Sequence, residues 1–131
     1  MEDIVKLFIS AFLSALLGLE REVHKKPAGL KTHILVGVGS TILTILSYKY
    51  FPGGDPSRIA SYILPGIGFI GAGTIMKEEN RVIGLTTAAS LWLVSAIGIA
   101  VGVEAFDLAV TGALIGLITL LLTKVERKLE S

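Results

Sequence analysis

Apolar residues along this chain gather into five long blocks, at 4–19, 33–51, 59–76, 84–103 and 105–123. They neither alternate, as in a half-buried strand, nor recur as a narrow helical stripe with a polar face opposite. A helix crossing a hydrocarbon core needs roughly 17–25 residues at about 1.5 Å rise each, and every block meets or nearly meets that length. The pattern predicts an all-α fold, a polytopic membrane bundle of five transmembrane helices forming a single domain over residues 1–131. Only a tight turn at 102–107 parts the fourth block from the fifth, and the two together are far too long for one span. The alternative is four spans with a re-entrant third block.

The third block is unlike the others. Residues 64–76 hold Pro65, Gly66, Gly68, Gly71 and Gly73 and no charge. In a soluble helix each Gly costs about 1 kcal/mol relative to Ala, and an interior Pro about 3. In lipid, small residues let helix backbones approach, and a proline break is tolerated where neighbours satisfy the freed carbonyls. The rest of the chain is therefore expected to pack around this block. It would do so through glycine faces or, if Pro65 breaks the helix, around an ion site lined by exposed carbonyls. The Gly-x-Gly-x-x-Gly string at 66–71 is not a dinucleotide fingerprint, because no βαβ unit surrounds it. Four small-xxx-small pairs (Gly68 with Ala72, Gly98 with Gly102, Ala109 with Ala113, Gly112 with Gly116) predict a compact bundle and a homo-oligomer.

Composition agrees. Hydrophobic residues at 52%, charged residues at 18% and a mean hydropathy of +0.74 are too apolar for a soluble chain of this size. A net charge of +1 gives no general case for nucleic acid, and the absence of cysteine excludes disulfides, thiolate metal sites and a Cys nucleophile. The acidic start, Glu2-Asp3, lacks the basic leader of a cleavable signal, so the first block is read as a retained span with Lys6 snorkelling at its end. Nine of the 12 basic residues fall in the first loop (Arg21, Lys25, Lys26, Lys31), the third loop (Lys77, Arg81) and the tail (Lys124, Arg127, Lys128). Five spans place these regions on one side, which the positive-inside rule makes cytoplasmic, with the N-terminus outside and the C-terminus in the cytoplasm. The outer side, with Asp55, Arg58, Glu104 and Asp107 in its loops, carries a net charge of −2 and would concentrate cations.

The first block closes on Gly-Leu-Glu-Arg-Glu (18–22). Carboxylates at a helix C-terminus oppose the macrodipole, so Glu20 and Glu22 need cationic partners, and His24 and Lys26 stand four residues on. Glu20, Arg21, Glu22 and His33 form a candidate ion-pair cluster or partner site, and the basic loop at 25–33 suits anionic lipid headgroups. His33 has no second ligand at metal-ligand spacing. Asp-Pro-Ser-Arg (55–58) predicts a helix start with Asp55 as N-cap, Pro56 at N1 and Arg58 at N3. Thr86 and Ser90, at i,i+4 spacing on one face, are expected to bond a carbonyl or a neighbouring helix, or to line a path. Trp92 is expected to pack between helices. No hydrolytic or redox constellation is present, and no enzyme is expected.

Five stretches in order closely resemble the MgtC/SapB family of bacterial inner-membrane proteins. They are Gly-Leu-Glu-Arg-Glu (18–22), Pro-Ala-Gly-Leu-Lys-Thr-His (27–33), Asp-Pro-Ser-Arg-Ile-Ala (55–60), Gly-Ile-Gly-Phe-Ile-Gly-Ala-Gly (66–73) and Gly-Leu-Thr-Thr-Ala-Ala-Ser-Leu-Trp (84–92). The resemblance covers nearly the whole chain. It implies a multi-pass inner-membrane protein tied to magnesium limitation, whose better-known relatives look like regulators of other membrane machinery, the ATP synthase among them. Some members have Asn where this chain has Thr86 and Cys where it has Leu93. Several also carry an ACT-like C-terminal domain, whereas this chain stops after Lys-Val-Glu-Arg-Lys-Leu-Glu-Ser (124–131).

The expectation is a self-associating protein of the lipid bilayer that serves magnesium homeostasis by binding and modulating a client such as the ATP synthase. Its contact surface would be the 20–33 region with the third helix. No cofactor is required, and magnesium is the one ion the resemblance brings in. The competing expectation is a small oligomeric channel or transporter for magnesium or another cation. Asp55, Glu104 and Asp107 would then gather ions for a path along 65–73. A lipid-binding structural protein is the third reading.

Overall fold

A computed structural model describes residues 2–122. Five helices and one small hairpin follow in order: α1 Asp3–Val23, α2 Leu30–Lys49, α3 Arg58–Ala72, β1 Met76–Glu78, β2 Arg81–Ile83, α4 Leu85–Gly102 and α5 Phe106–Leu121. Thr123, at the end of the fifth block, and the tail residues Lys124, Arg127 and Lys128 lie outside the described residues.

Helix ends follow local chemistry. α1 runs past its apolar block to Val23 and closes in a Schellman turn. There Lys25 N–H donates to the Glu22 carbonyl at 3.1 Å and Lys26 N–H to the Arg21 carbonyl at 3.0 Å. α4 closes in the same way, with Glu104 N–H on Val101 and Ala105 N–H on Ala100. In both turns the left-handed position, normally a glycine, is a charged residue: Lys25 at φ 52° and Glu104 at φ 65°. α3 begins at Arg58, later than the predicted cap. Asp55 instead folds over the preceding turn, its Oδ1 accepting from Ser57 N–H at 2.9 Å and from the Ser57 hydroxyl at 2.8 Å.

Of the two alternatives for the third block, the break at Pro65 is absent. α3 continues through it, with Pro65 on the outward face, and the Ser61 carbonyl gives up its intrahelical donor. The helix ends instead at Ala72, because Thr74 turns back and its hydroxyl takes the Gly71 carbonyl at 2.7 Å. Met76, read as the last residue of the third block, starts a hairpin that the apolar pattern did not show. Its register pairs Met76 with Ile83, Lys77 with Val82 and Glu78 with Arg81, leaving Glu79-Asn80 as a two-residue turn.

The centre of the bundle is α4, which packs against each of the other four helices. Leu91, Val94, Ile97 and Val101 are its buried ridge, joined by Leu13 and Leu17 of α1 and Ala109 and Ala113 of α5. Gly98 and Gly102 bring α4 against α2 so closely that a Cβ would come within 2.8 Å of Ser40 and of Thr44 respectively. The third block, expected at the centre, is peripheral. α3 buries only Ile63, Ile67 and Gly71, while Pro65, Gly66 and Gly68 face outward with open space around both glycines. Trp92 also faces outward, 53% exposed, because it sits across α4 from the Leu91–Val94 ridge.

Beside this apolar core, hydroxyls are buried and large apolar side chains are left outside. α2 buries Ser40, Thr41, Thr44 and Ser47 and exposes Leu35, Ile42 and Leu43. Around the rest of the molecule Phe8, Phe12, Phe69, Leu108, Ile115 and Ile118 are all more than half exposed. Hydroxyls inward and large apolar groups outward is the arrangement that a hydrocarbon solvent selects. Two helices, α2 and α4, are long and apolar enough to cross a membrane, and α3 and α5 are apolar but shorter.

Candidate functional site

The up-and-down course of the helices sorts the charges to two ends. At the hairpin end, the last turn of α1 buries Glu20 and Arg21 side by side. Arg21 Nε donates to Glu20 Oε2 at 2.6 Å and its Nη2 to Oε1 at 3.0 Å, a two-bonded pair. The remaining Nη1 lies 3.5 Å from the Thr87 hydroxyl in the first turn of α4. The predicted i,i+4 pairing of Glu20 with His24 is present at 3.0 Å. That of Glu22 with Lys26 is not, because the helix has already ended and the Schellman turn carries Lys26 away. The Glu22 carboxylate instead lies against Gly29, where any Cβ would collide with it.

His33 is fully buried between α1 and α4. Its Nδ1 lies 2.8 Å from the Gly29 carbonyl and its Nε2 lies 2.8 Å from Ser90 Oγ. A carbonyl only accepts, so Nδ1 carries the hydrogen, and in the neutral ring Nε2 accepts from Ser90. Ser90 Oγ is also 2.7 Å from the Thr87 carbonyl, which gives its hydroxyl hydrogen a second acceptor if the ring is charged. Gly18 makes room for this packing, since a Cβ there would come within 2.8 Å of His33 Cβ.

Above this cluster opens a cavity of about 780 Å³ between the α1–α2 loop, the hairpin and the start of α4. Arg21, His24, Lys25, Lys26 and Arg81 line it, with Thr86 and Thr87 at its floor. Gly84, at φ 90° and packed against the Thr74 carbonyl, lets the hairpin enter α4 there.

At the opposite end Lys6 is 97% buried, not snorkelling as its place near the chain start suggested. It donates to the Tyr48 hydroxyl at 3.0 Å and pairs with Asp3 at 3.3 Å and Glu104 at 3.2 Å. Tyr48 in turn donates to the Gly102 carbonyl at 2.9 Å, and Lys49 pairs with Asp3 at 2.7 Å. The hydrogen bond from Lys6, and then its charge, hold the Glu104 carboxyl below its ordinary range. The Ser57 backbone N–H and hydroxyl do the same for Asp55. Asp107 lies in the first turn of α5, where a carboxylate complements the helix dipole. The acidic residues expected to gather cations are thus each placed in a local structural role.

A buried polar seam runs between the ends. Thr41 donates to the Gly98 carbonyl at 2.8 Å and lies 2.8 Å from Ser10 Oγ. Ser14 and Thr44 hydroxyls beside it are buried without a hydrogen-bond partner.

The structure therefore gathers Glu20, Arg21, His33 and Ser90 at one end, but not with Pro65, Gly66 or Gly68. Thr86 is exposed at the cavity, and the buried partner of Ser90 is Thr87, three residues before it. Lys6, Ser10, Thr41, Tyr48 and Thr87 were missed. A signal for the first two was present: Lys6, Ser10, Ser14 and Gly18 recur every four residues along α1, with Arg21 three further on, one polar face in an apolar helix. Among the described residues, no group of three or more His, Asp or Glu side chains is placed to hold a metal ion.

Comparison with known proteins gives this geometry a lineage. The profile of the MgtC family matches residues 7–129. YhiD of Escherichia coli (strain K12), whose name proposes a magnesium transporter, is 39% identical over 91% of this chain and 59% of its own length. SapB of Bacillus subtilis (strain 168) is 44% identical over 76% of this chain and 47% of its own, and MgtC of Salmonella typhimurium (strain LT2) 41% identical over 86% and 48%. The chain thus spans about half the length of the curated relatives it matches. No solved structure matches it. With the family profile covering nearly every described residue, the chain belongs to the MgtC family.

Proposed function

We propose that this chain is a multi-pass protein of the bacterial inner membrane that serves magnesium homeostasis by contacting and modulating another membrane protein, the ATP synthase being the first candidate. It performs no chemistry of its own. The observation that carries this reading is the state of its carboxylates. Glu20, the most deeply buried, is neutralised by Arg21, and Glu104 is engaged by Lys6. A selective divalent path asks for carboxylates free to face an ion. Lys25 and Lys26, by contrast, are exposed and form no ion pair among the described residues, as a charged contact surface requires. The reading places the basic hairpin end in the cytoplasm and all five helices in the bilayer. The open groove that Gly39 of α2 and Gly66 of α3 line together is its surface for self-association.

Co-purification of the ATP synthase with the tagged chain tests the reading. Lys25→Glu with Lys26→Glu should abolish it while leaving the fold intact, and unchanged recovery would count against the surface. Arg21 is unsuitable for this test, because its reversal would break a buried pair.

Transport is the second reading, favoured by the seam at Ser10, Ser14, Thr41 and Thr44 with its two unpartnered hydroxyls. Its path would run between α1, α2 and α4, not along α3.

A further inference from the structure

The cavity at the hairpin end concentrates positive charge that the fold cancels only in part. Arg21, Lys25, Lys26 and Arg81 line it with His24, and no carboxylate does. Glu20 answers Arg21 and His24, and Glu78 meets Arg81 at 3.4 Å on the outer rim, which leaves Lys25 and Lys26 without an ion pair among the described residues. The first turn of α4, at Leu85, Thr86 and Thr87, opens onto the same space. Those N–H groups precede the first intrahelical bond, Ala88 N–H to the Gly84 carbonyl, and no side chain caps them. A helix N-terminus presents unsatisfied donors and the positive end of the macrodipole, so here a positive helix end faces cationic side chains.

Holding Lys25 in this wall also requires a left-handed backbone, at φ 52°, where glycine is the ordinary residue. An anion with several oxygens would meet the side-chain charges and the open helix end together. It would accept from the helix N–H groups, meet the Thr86 hydroxyl and take the lysine and arginine charges.

We propose that this cavity binds a phosphate-bearing anion, with Lys25, Lys26 and Arg81 supplying charge and the α4 N-terminus supplying oriented donors. At about 780 Å³ it admits either a soluble phosphate compound or the headgroup of an anionic phospholipid. The assignment does not depend on the partner reading above, and purified protein tests it with no client present.

The experiment is equilibrium binding to the full chain in phosphatidylcholine nanodiscs at fixed ionic strength. One arm uses radiolabelled inorganic phosphate, and the other uses a fluorescent phosphatidylglycerol included in the disc. Saturable binding is expected in at least one arm. It should weaken at least about tenfold in Arg81→Ala and in Lys25→Ala/Lys26→Ala, the loss of a charge-assisted contact being worth that much. Lys77→Ala, on the hairpin but outside the cavity, should bind as the parent does. Binding in the phosphate arm identifies a soluble ligand, and binding in the lipid arm alone identifies a headgroup. No saturable binding in either arm would overturn the proposal, and so would equal losses in Lys77→Ala and Arg81→Ala.

Discussion

Arg21 and Glu20 are consecutive in sequence, nearly inaccessible, and bound to each other through two hydrogen bonds. Breaking such a pair leaves one uncompensated buried charge, which costs about 3–5 kcal/mol, whereas replacing both partners by apolar groups is often close to neutral. Arg21→Met alone is therefore expected to lower the unfolding free energy in detergent by about 3 kcal/mol or more, and Glu20→Leu/Arg21→Met to recover most of that loss. Chemical unfolding of the parent and the two variants checks it, and an equal loss in the single and the double variant would show the pair to be needed for more than its own neutrality.

At the other end, Glu104 is held below its ordinary value of 4.5 by Lys6. A carboxyl depressed in the folded state stabilises it fully above the unfolded value, and loses that contribution as pH falls through the folded value. The thermal midpoint should fall on acidification below about pH 4.5, and Glu104→Gln should shrink that fall while starting from a lower midpoint near neutral pH. Asp55 is depressed as well but lies apart from this cluster, so the difference between parent and variant reports Glu104 and the Lys6 pairing that it shares with Asp3.

At the scale of elements, spacing identified which residues share a helix face but not which face meets a neighbour. The same small-xxx-small rule marked Gly98 with Gly102 and Gly68 with Ala72, yet only the first pair touches another helix, while Gly68 faces open space. Thr86 and Thr87 are separated by the same ambiguity, since both i+3 and i+4 steps lead to Ser90. Five helices and their order were legible because apolar length reports them directly. The hairpin was not, because three-residue strands leave too little pattern in a charged segment.

The contrast between glycines gives a test. Gly98→Ala should destabilise by about 1–3 kcal/mol through overpacking against α2, whereas Gly68→Ala should be neutral or stabilise by up to about 1 kcal/mol through helix propensity. At the α1 terminus, Lys25→Gly relieves a left-handed lysine and should stabilise by about 1 kcal/mol. The same change removes a charge from the cavity, so stability and anion affinity should move in opposite directions. Unfolding midpoints measured beside the binding assay would show whether they do.

For the whole molecule, inward hydroxyls and outward leucines support the proposed placement in hydrocarbon. Trp92 offers a direct probe, being the single tryptophan and more than half exposed on α4. Its fluorescence in vesicles should be quenched by brominated acyl chains and spared by aqueous iodide, and the reverse pattern would place that face in water.

We propose above that this bundle acts on a partner and does not itself carry magnesium. The most direct measurement is magnesium influx into proteoliposomes holding the folded protein, read by an internal indicator dye against empty vesicles. Influx equal to that of the empty vesicles is expected. Saturable influx that falls in Thr44→Val, which removes an unpartnered hydroxyl from the seam between α1, α2 and α4, would contradict it and make the seam a conduction path.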